Sequence, residues 1–82
     1  VPLILLTREG CGLCDEFAAE LALLAERLPL PPWNMVNIDS DTELERRYGL
    51  KIPVLLWDGV PIAITHFNSQ EIERLLRTRE PV

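Results

Sequence analysis

Thr7-Arg8-Glu9-Gly10-Cys11-Gly12-Leu13-Cys14 lies between an apolar run and an amphipathic one. Upstream, Leu3-Ile4-Leu5-Leu6 is continuous rather than alternating, which reads as a short strand buried on both faces. Downstream, Phe17, Leu21, Leu24 and Leu28 recur at steps of four, three and four, the pattern of one helical face. The two cysteines therefore stand where a strand ends and a helix begins. Unpaired N–H groups and a partial positive charge at a helix start favour a thiolate over a thiol. Cys11 falls at or near the cap and Cys14 one turn further on the same side, within the reach of a disulfide.

Other uses of two cysteines fit less well. A structural zinc site wants four Cys or His ligands, and this chain has two Cys and one His, so no metal site within one chain is expected. A metal shared between two subunits stays open. A purely structural disulfide across so short a loop would remove little entropy from the unfolded chain. C-x-x-C at a strand-to-helix junction is a redox signature.

With 82 residues the chain is expected to form one domain over 1–82, burying about 60% of its unfolded surface. The 48% hydrophobic content is enough to fill a core. Thirteen acidic against eight basic residues give a formal charge of −5, which disfavours nucleic acid and anionic membranes as partners. No apolar run approaches the roughly 20 residues that span a bilayer. No signal peptide is expected ahead of the first strand. Both cysteines belong to one motif, so no secreted disulfide framework is indicated and the expected location is cytoplasmic.

Helix one is expected from near Cys11 to Arg27 or Leu28, where Pro29-Leu30-Pro31-Pro32 stops it. Trp33 to Asp39 reads as the second strand. Ser40-Asp41-Thr42-Glu43 has the form of a capping box opening a second helix, with Gly49 as its C′ residue. Val54-Leu55-Leu56-Trp57 and Val60-Pro61-Ile62-Ala63-Ile64 flank Asp58-Gly59 and predict an antiparallel hairpin. Pro61 places the last strand at the sheet edge. Asn68 is the expected cap of helix three, with Glu71 three residues on and Phe67 and Ile72 as a hydrophobic staple. Ile72, Leu75 and Leu76 form its buried stripe, and Arg74, Arg77 and Arg79 suit its C-terminal half.

The order is thus β-α-β-α-β-β-α, an α/β fold with a four-stranded mixed sheet and helices on both faces. C-x-x-C after the first strand, then Tyr48-Gly49-Leu50-Lys51-Ile52-Pro53-Val54-Leu55 leading into a hairpin, resembles the thioredoxin superfamily. The small size is similar to glutaredoxins, most of all to short glutaredoxin-like proteins whose motif follows a lead-in such as Thr7-Arg8-Glu9.

The resemblance implies a thiol-disulfide oxidoreductase in which Cys11 is the nucleophile and Cys14 resolves the mixed disulfide. It implies substrate contacts at Arg8, at the motif interior Gly12 and Leu13, at a cis Ile52–Pro53 bond, and at the helix start Asn68 and Ser69. It implies no resident cofactor, with glutathione as a co-substrate, and a monomer acting on disulfide-containing proteins or glutathione. Three departures point to weak glutathione binding. No proline stiffens the motif, Leu13 replaces an aromatic, and Ala63-Ile64-Thr65-His66 stands where glutaredoxins place Gly-Gly. His66 reads as a surface residue or cap rather than an acid–base group. Rival readings are a sensor dithiol recycled by another reductase, a scaffold for an iron–sulfur cluster or zinc between two subunits, and a non-catalytic interaction module.

Overall fold

A computed structural model describes residues 2–78 of the chain. Its elements are β1 (Leu3–Thr7), α1 (Gly12–Arg27), β2 (Trp33–Asn37), a 3₁₀ turn (Ile38–Ser40), α2 (Thr42–Tyr48), β3 (Val54–Trp57), β4 (Val60–Ile64) and α3 (Ser69–Thr78). The four strands form one mixed sheet in the order β2-β1-β3-β4. β1 runs parallel to β2 and antiparallel to β3, and β3 and β4 form the antiparallel hairpin. Asp58 and Gly59 turn that hairpin with φ of 53° and 77°, the paired positive values that a tight right-twisted hairpin requires.

The continuous apolar run of β1 is explained by the two layers it serves. Leu3 and Leu5 face α1 and α3, in a core with Phe17, Leu21, Leu24, Ile72 and Leu76. Leu6, with Ile4 beside it, faces the other way, toward Ile38, Val54 and Leu56, where Leu44 and Tyr48 of α2 close the layer. Each fully buried leucine contributes about 1.5–3 kcal/mol of apolar transfer. On β3 the same alternation sends Leu55 to the first layer and Leu56 to the second. β4 is the edge strand, and Pro61 lies on it. Between Leu55 and Leu56 the register jumps from Ala63 to Pro61, so Ile62 is an extra residue, and it turns into the core at 5% exposure.

Local chemistry shifts two expected boundaries and changes the part played by Gly49 at a third. β2 stops at Asn37, because the Asn37 side chain accepts from the Asp39 N–H (2.8 Å) and its carbonyl accepts from the Ser40 hydroxyl (2.7 Å). Those bonds wind Ile38–Ser40 into a turn in place of further strand. Ser40 is spent there, so the cap of α2 passes to Asp41, whose carboxylate accepts from Glu43 N–H and Leu44 N–H. Gly49 is not left-handed: its φ and ψ are −54° and −33°. What it supplies is room, since a Cβ there would lie 2.5 Å from the Glu45 carbonyl oxygen.

Asn68 caps α3 by accepting from Glu71 N–H at 3.0 Å. The Glu71 side chain turns forward to Arg74 rather than back to the cap. That hydrogen bond holds the Glu71 carboxyl below its usual range and raises Arg74. A lowered carboxyl stabilises the fold above its ordinary titration range and loses that effect as pH falls, and solvent around this exposed pair keeps the effect small. Arg79 lies outside the described residues.

The reassigned cap is testable. Asp41→Ala leaves two N–H groups of a seven-residue helix without their acceptor, an expected loss of about 1 kcal/mol in urea unfolding. Ser40→Ala removes one exposed bond and should cost less than half as much. The reverse order would return the cap to Ser40.

Candidate active site

The sheet register gathers three loops at one end. Leu6 pairs with Val54, so the segment leaving β1 toward Cys11 emerges beside the Lys51-Ile52-Pro53 turn. Val54 also pairs with Ile64, which brings Thr65 and His66 to the same end. Asn37, opposite Thr7, adds the start of the 3₁₀ turn.

The approach to the dithiol is a four-residue turn in which the Arg8 carbonyl accepts from Cys11 N–H at 3.2 Å. Gly10 takes φ of 76° at its third position, a conformation glycine adopts without cost. Cys11 is then the N-cap of α1, with extended backbone angles, and its Sγ accepts from the Cys14 N–H at 3.1 Å. This N–H is one of the unpaired donors of the first helical turn, and it is aimed at the sulfur. Cys11 and Cys14 are joined by a disulfide with their Cα atoms 5.2 Å apart. Cys14 is 1% exposed, whereas Cys11 is partly open to solvent.

The remaining site residues divide. Gly12 and Leu13 are exposed, Leu13 to 50%, and a Cβ on Gly12 would touch nothing. Pro53 is buried, Ile52 is half-buried, and the bond between them is cis. Asn68 and Ser69 sit further off, along a groove shared with Glu20, Leu23 and Arg27 of α1. Arg8 is engaged elsewhere: its guanidinium binds Asp39 at 3.0 Å and reaches Glu45 at 3.5 Å. No three His, Cys, Asp or Glu side chains cluster as a metal site would need among the described residues.

Thr65 is the residue that sequence reasoning passed over. Its φ is 67°, left-handed without being glycine, and its neighbours hold it there. Its N–H donates to the Pro53 carbonyl (2.7 Å) and its hydroxyl to the Lys51 carbonyl (2.8 Å). The His66 N–H closes back onto the Ile64 carbonyl across it at 2.7 Å, a γ-turn. Thr65 thus ties the β4–α3 turn to both ends of the Lys51-Ile52-Pro53 segment. The replaced glycine was the available signal, since a threonine where the backbone turns sharply needs a bond to hold it.

The fold and the linked cysteines define a thioredoxin-like domain carrying a C-x-x-C disulfide, which supports a redox-type function. Residues 2–77 match the model of the Glutaredoxin-like domain (DUF836), and the chain belongs to that family. It is similar to a protein of Nitrosomonas europaea solved by NMR, at 29% identity, TM-score 0.78, covering 90% of this chain and 88% of that one. A structural-genomics target protein from X. campestris is 31% identical, with TM-score 0.74 and coverage of 95% and 99%. Thioredoxin 1 of Thermosipho africanus shares the fold at 13% identity, TM-score 0.61, with coverage of 95% and 97%. No curated protein matches the chain.

The Thr65 tie predicts an order of stabilities. Thr65→Ala keeps the positive φ but loses the hydroxyl bond, for about 1 kcal/mol in urea unfolding. Thr65→Gly loses the same bond and relieves the left-handed penalty, so it should be about 1 kcal/mol more stable than the alanine variant. An alanine variant as stable as the glycine one would remove strain from the account.

Proposed function

We propose that the protein is a thiol-disulfide oxidoreductase of the cytoplasm that reduces protein disulfides through Cys11 and Cys14, with glutathione a poor co-substrate. The observation that carries the reading is the asymmetry of the pair: Cys11 is partly exposed and accepts a helix-cap N–H, while Cys14 is buried behind it. In the reduced protein the Cys11 thiolate attacks one sulfur of a substrate disulfide. A bond forms between Cys11 Sγ and that sulfur, the substrate S–S bond breaks, and the other sulfur leaves as a thiolate. Cys14 then gives up its proton and attacks Cys11 Sγ, which releases the second substrate thiolate. Two electrons pass from the dithiol to the substrate, both released thiolates take up protons, and the Cys11–Cys14 disulfide remains. A thiol reductant must reopen it.

Two features support protein over glutathione as the substrate. Leu13 offers no aromatic face, and the Arg8 guanidinium, the expected anchor for a glutathione carboxylate, is held by Asp39 and Glu45.

Three variants read the assignment. Cys11→Ser should abolish reduction of insulin disulfides. Cys14→Ser should accumulate a mixed disulfide through Cys11 visible by mass spectrometry. Limited alkylation of the reduced protein should label Cys11 well before Cys14, and equal labelling would overturn the two roles. Arg8→Ala should change turnover of a glutathione mixed disulfide less than twofold, because exposed ion pairs of this kind are worth roughly 0–1 kcal/mol and the guanidinium is already engaged. A tenfold fall would make Arg8 a glutathione ligand after all.

A further inference from the structure

Beside the dithiol, an open groove of about 420 Å³ runs between the first turns of α1 and the β4–α3 turn. Leu13, Phe17 and Phe67 make its apolar part, and the two phenylalanines meet edge to face with ring centres 5.1 Å apart. The opposite wall is the Thr65–His66 turn, which Thr65 ties to the Lys51-Ile52-Pro53 segment. Glu16 and Glu20 line it as well, one helical turn apart and exposed, and neither forms an ion pair among the described residues. Among the described residues no Lys or Arg lines it. Arg27, the next cation along α1, stands two turns beyond Glu20.

We infer that this groove selects the disulfide substrate: it takes a polypeptide segment with an apolar side chain and a basic residue flanking its reactive cysteine, and it disfavours anionic disulfides. The inference rests on the oxidoreductase reading above and adds its substrate class. An extended segment whose sulfur meets Cys11 lays its neighbouring side chains over Leu13, two residues on, and over Phe17, one turn past Cys14. The apolar floor takes the first kind of side chain. The carboxylates of Glu16 and Glu20 have no ion-pair partner among the described residues, so they meet a lysine or arginine of the substrate at little cost. A carboxylate in the same place would face two like charges, with Arg27 placed along the adjoining groove rather than in this one. The whole chain, at −5, adds to this sign.

The test uses wild-type protein, dithiothreitol as reductant, and short synthetic peptides whose single cysteine is disulfide-linked to 2-mercaptoethanol. One peptide carries leucine and two lysines near the cysteine; a second carries leucine and two glutamates; a third carries serine in place of leucine. Release of the peptide thiol is followed by chromatography. The basic peptide should exceed the acidic one roughly tenfold in kcat/KM at low ionic strength, and the ratio should shrink in high salt. Losing leucine should raise KM severalfold. In the E16Q/E20Q protein the basic-to-acidic ratio should fall toward one, and in E16K/E20K it should invert. D58N/E26Q removes the same charge from the far hairpin and the far end of α1, and should keep the ratio. Equal turnover of the basic and acidic peptides, or a ratio that survives E16Q/E20Q, overturns the groove's role and leaves the oxidoreductase reading standing. No turnover of any peptide above the dithiothreitol background overturns both.

Discussion

β1 is held from four sides, and the geometry of the dithiol depends on it. Its backbone pairs with β2 on one edge and β3 on the other, and its side chains fill two separate apolar layers. A one-residue slip would carry Leu3 and Leu5 out of the α1–α3 layer and force Ile4 and Leu6 into it. Register is therefore fixed by burial on both faces. With it is fixed which loops meet at the C-terminal end of β1. The Cys11 loop, the Pro53 turn and the Thr65 turn are neighbours because Leu6 pairs with Val54 and Val54 with Ile64. None of these loops needs to find the others.

Within that frame, reactivity and recognition rest on different forces. The bond from Cys14 N–H to Cys11 Sγ is local, short and built by the helix start itself, so it survives changes in surrounding charge. The surface charges work at longer range and are individually weak. Arg8 illustrates the difference. Three residues from Cys11 in sequence, it looks like an anion anchor, yet two carboxylates from the β2–α2 side have claimed it. Each exposed pair contributes little stability. Together they direct the guanidinium toward the β2–α2 side, and the ground beside the motif is left to Glu16 and Glu20.

The sequence was most legible where one residue type answers one local demand. The buried run of β1, the α1 stripe, the Asp58-Gly59 turn and the Asn68 cap all appear where periodicity and cap chemistry put them. Ambiguity arose where two neighbours could do the same job. Ser40 and Asp41 are both good caps, and the choice turned on Asn37 drawing Ser40 into a turn first. Gly49 looked like a left-handed terminator, whereas its need is space beside the Glu45 carbonyl, a distance no one-dimensional pattern carries. The pairing of Arg8 with Asp39 spans 31 residues and follows from the β1–β2 register, so it could not be read locally. The Ile62 bulge and the Thr65 tie are likewise products of strand pairing.

The loss of proline and of an aromatic from the motif interior changes where specificity can reside. Gly12 and Leu13 project no rigid surface: a side chain on Gly12 would touch nothing, and Leu13 is half exposed. For the proposed oxidoreductase, discrimination would then come from walls that do not move with the motif. Phe17 belongs to α1 and Phe67 precedes α3, so their ring contact joins the helix carrying the dithiol to the turn carrying Thr65. Thr65 in turn fixes the Pro53 segment. On the proposed reading, a substrate entering here would meet three chain segments cross-braced into one body, which would lower the ordering cost on the protein's side of binding. On the proposed reading, the acidic lining would work against a thiolate at Cys11 as well as against anionic substrates. The cap N–H opposes that repulsion from 3.1 Å and along the bond, whereas exposed surface charges act weakly and are screened by salt. On the proposed reading, a bound basic side chain offsets one of the two carboxylate charges and so favours the attacking thiolate while a suitable substrate is in place.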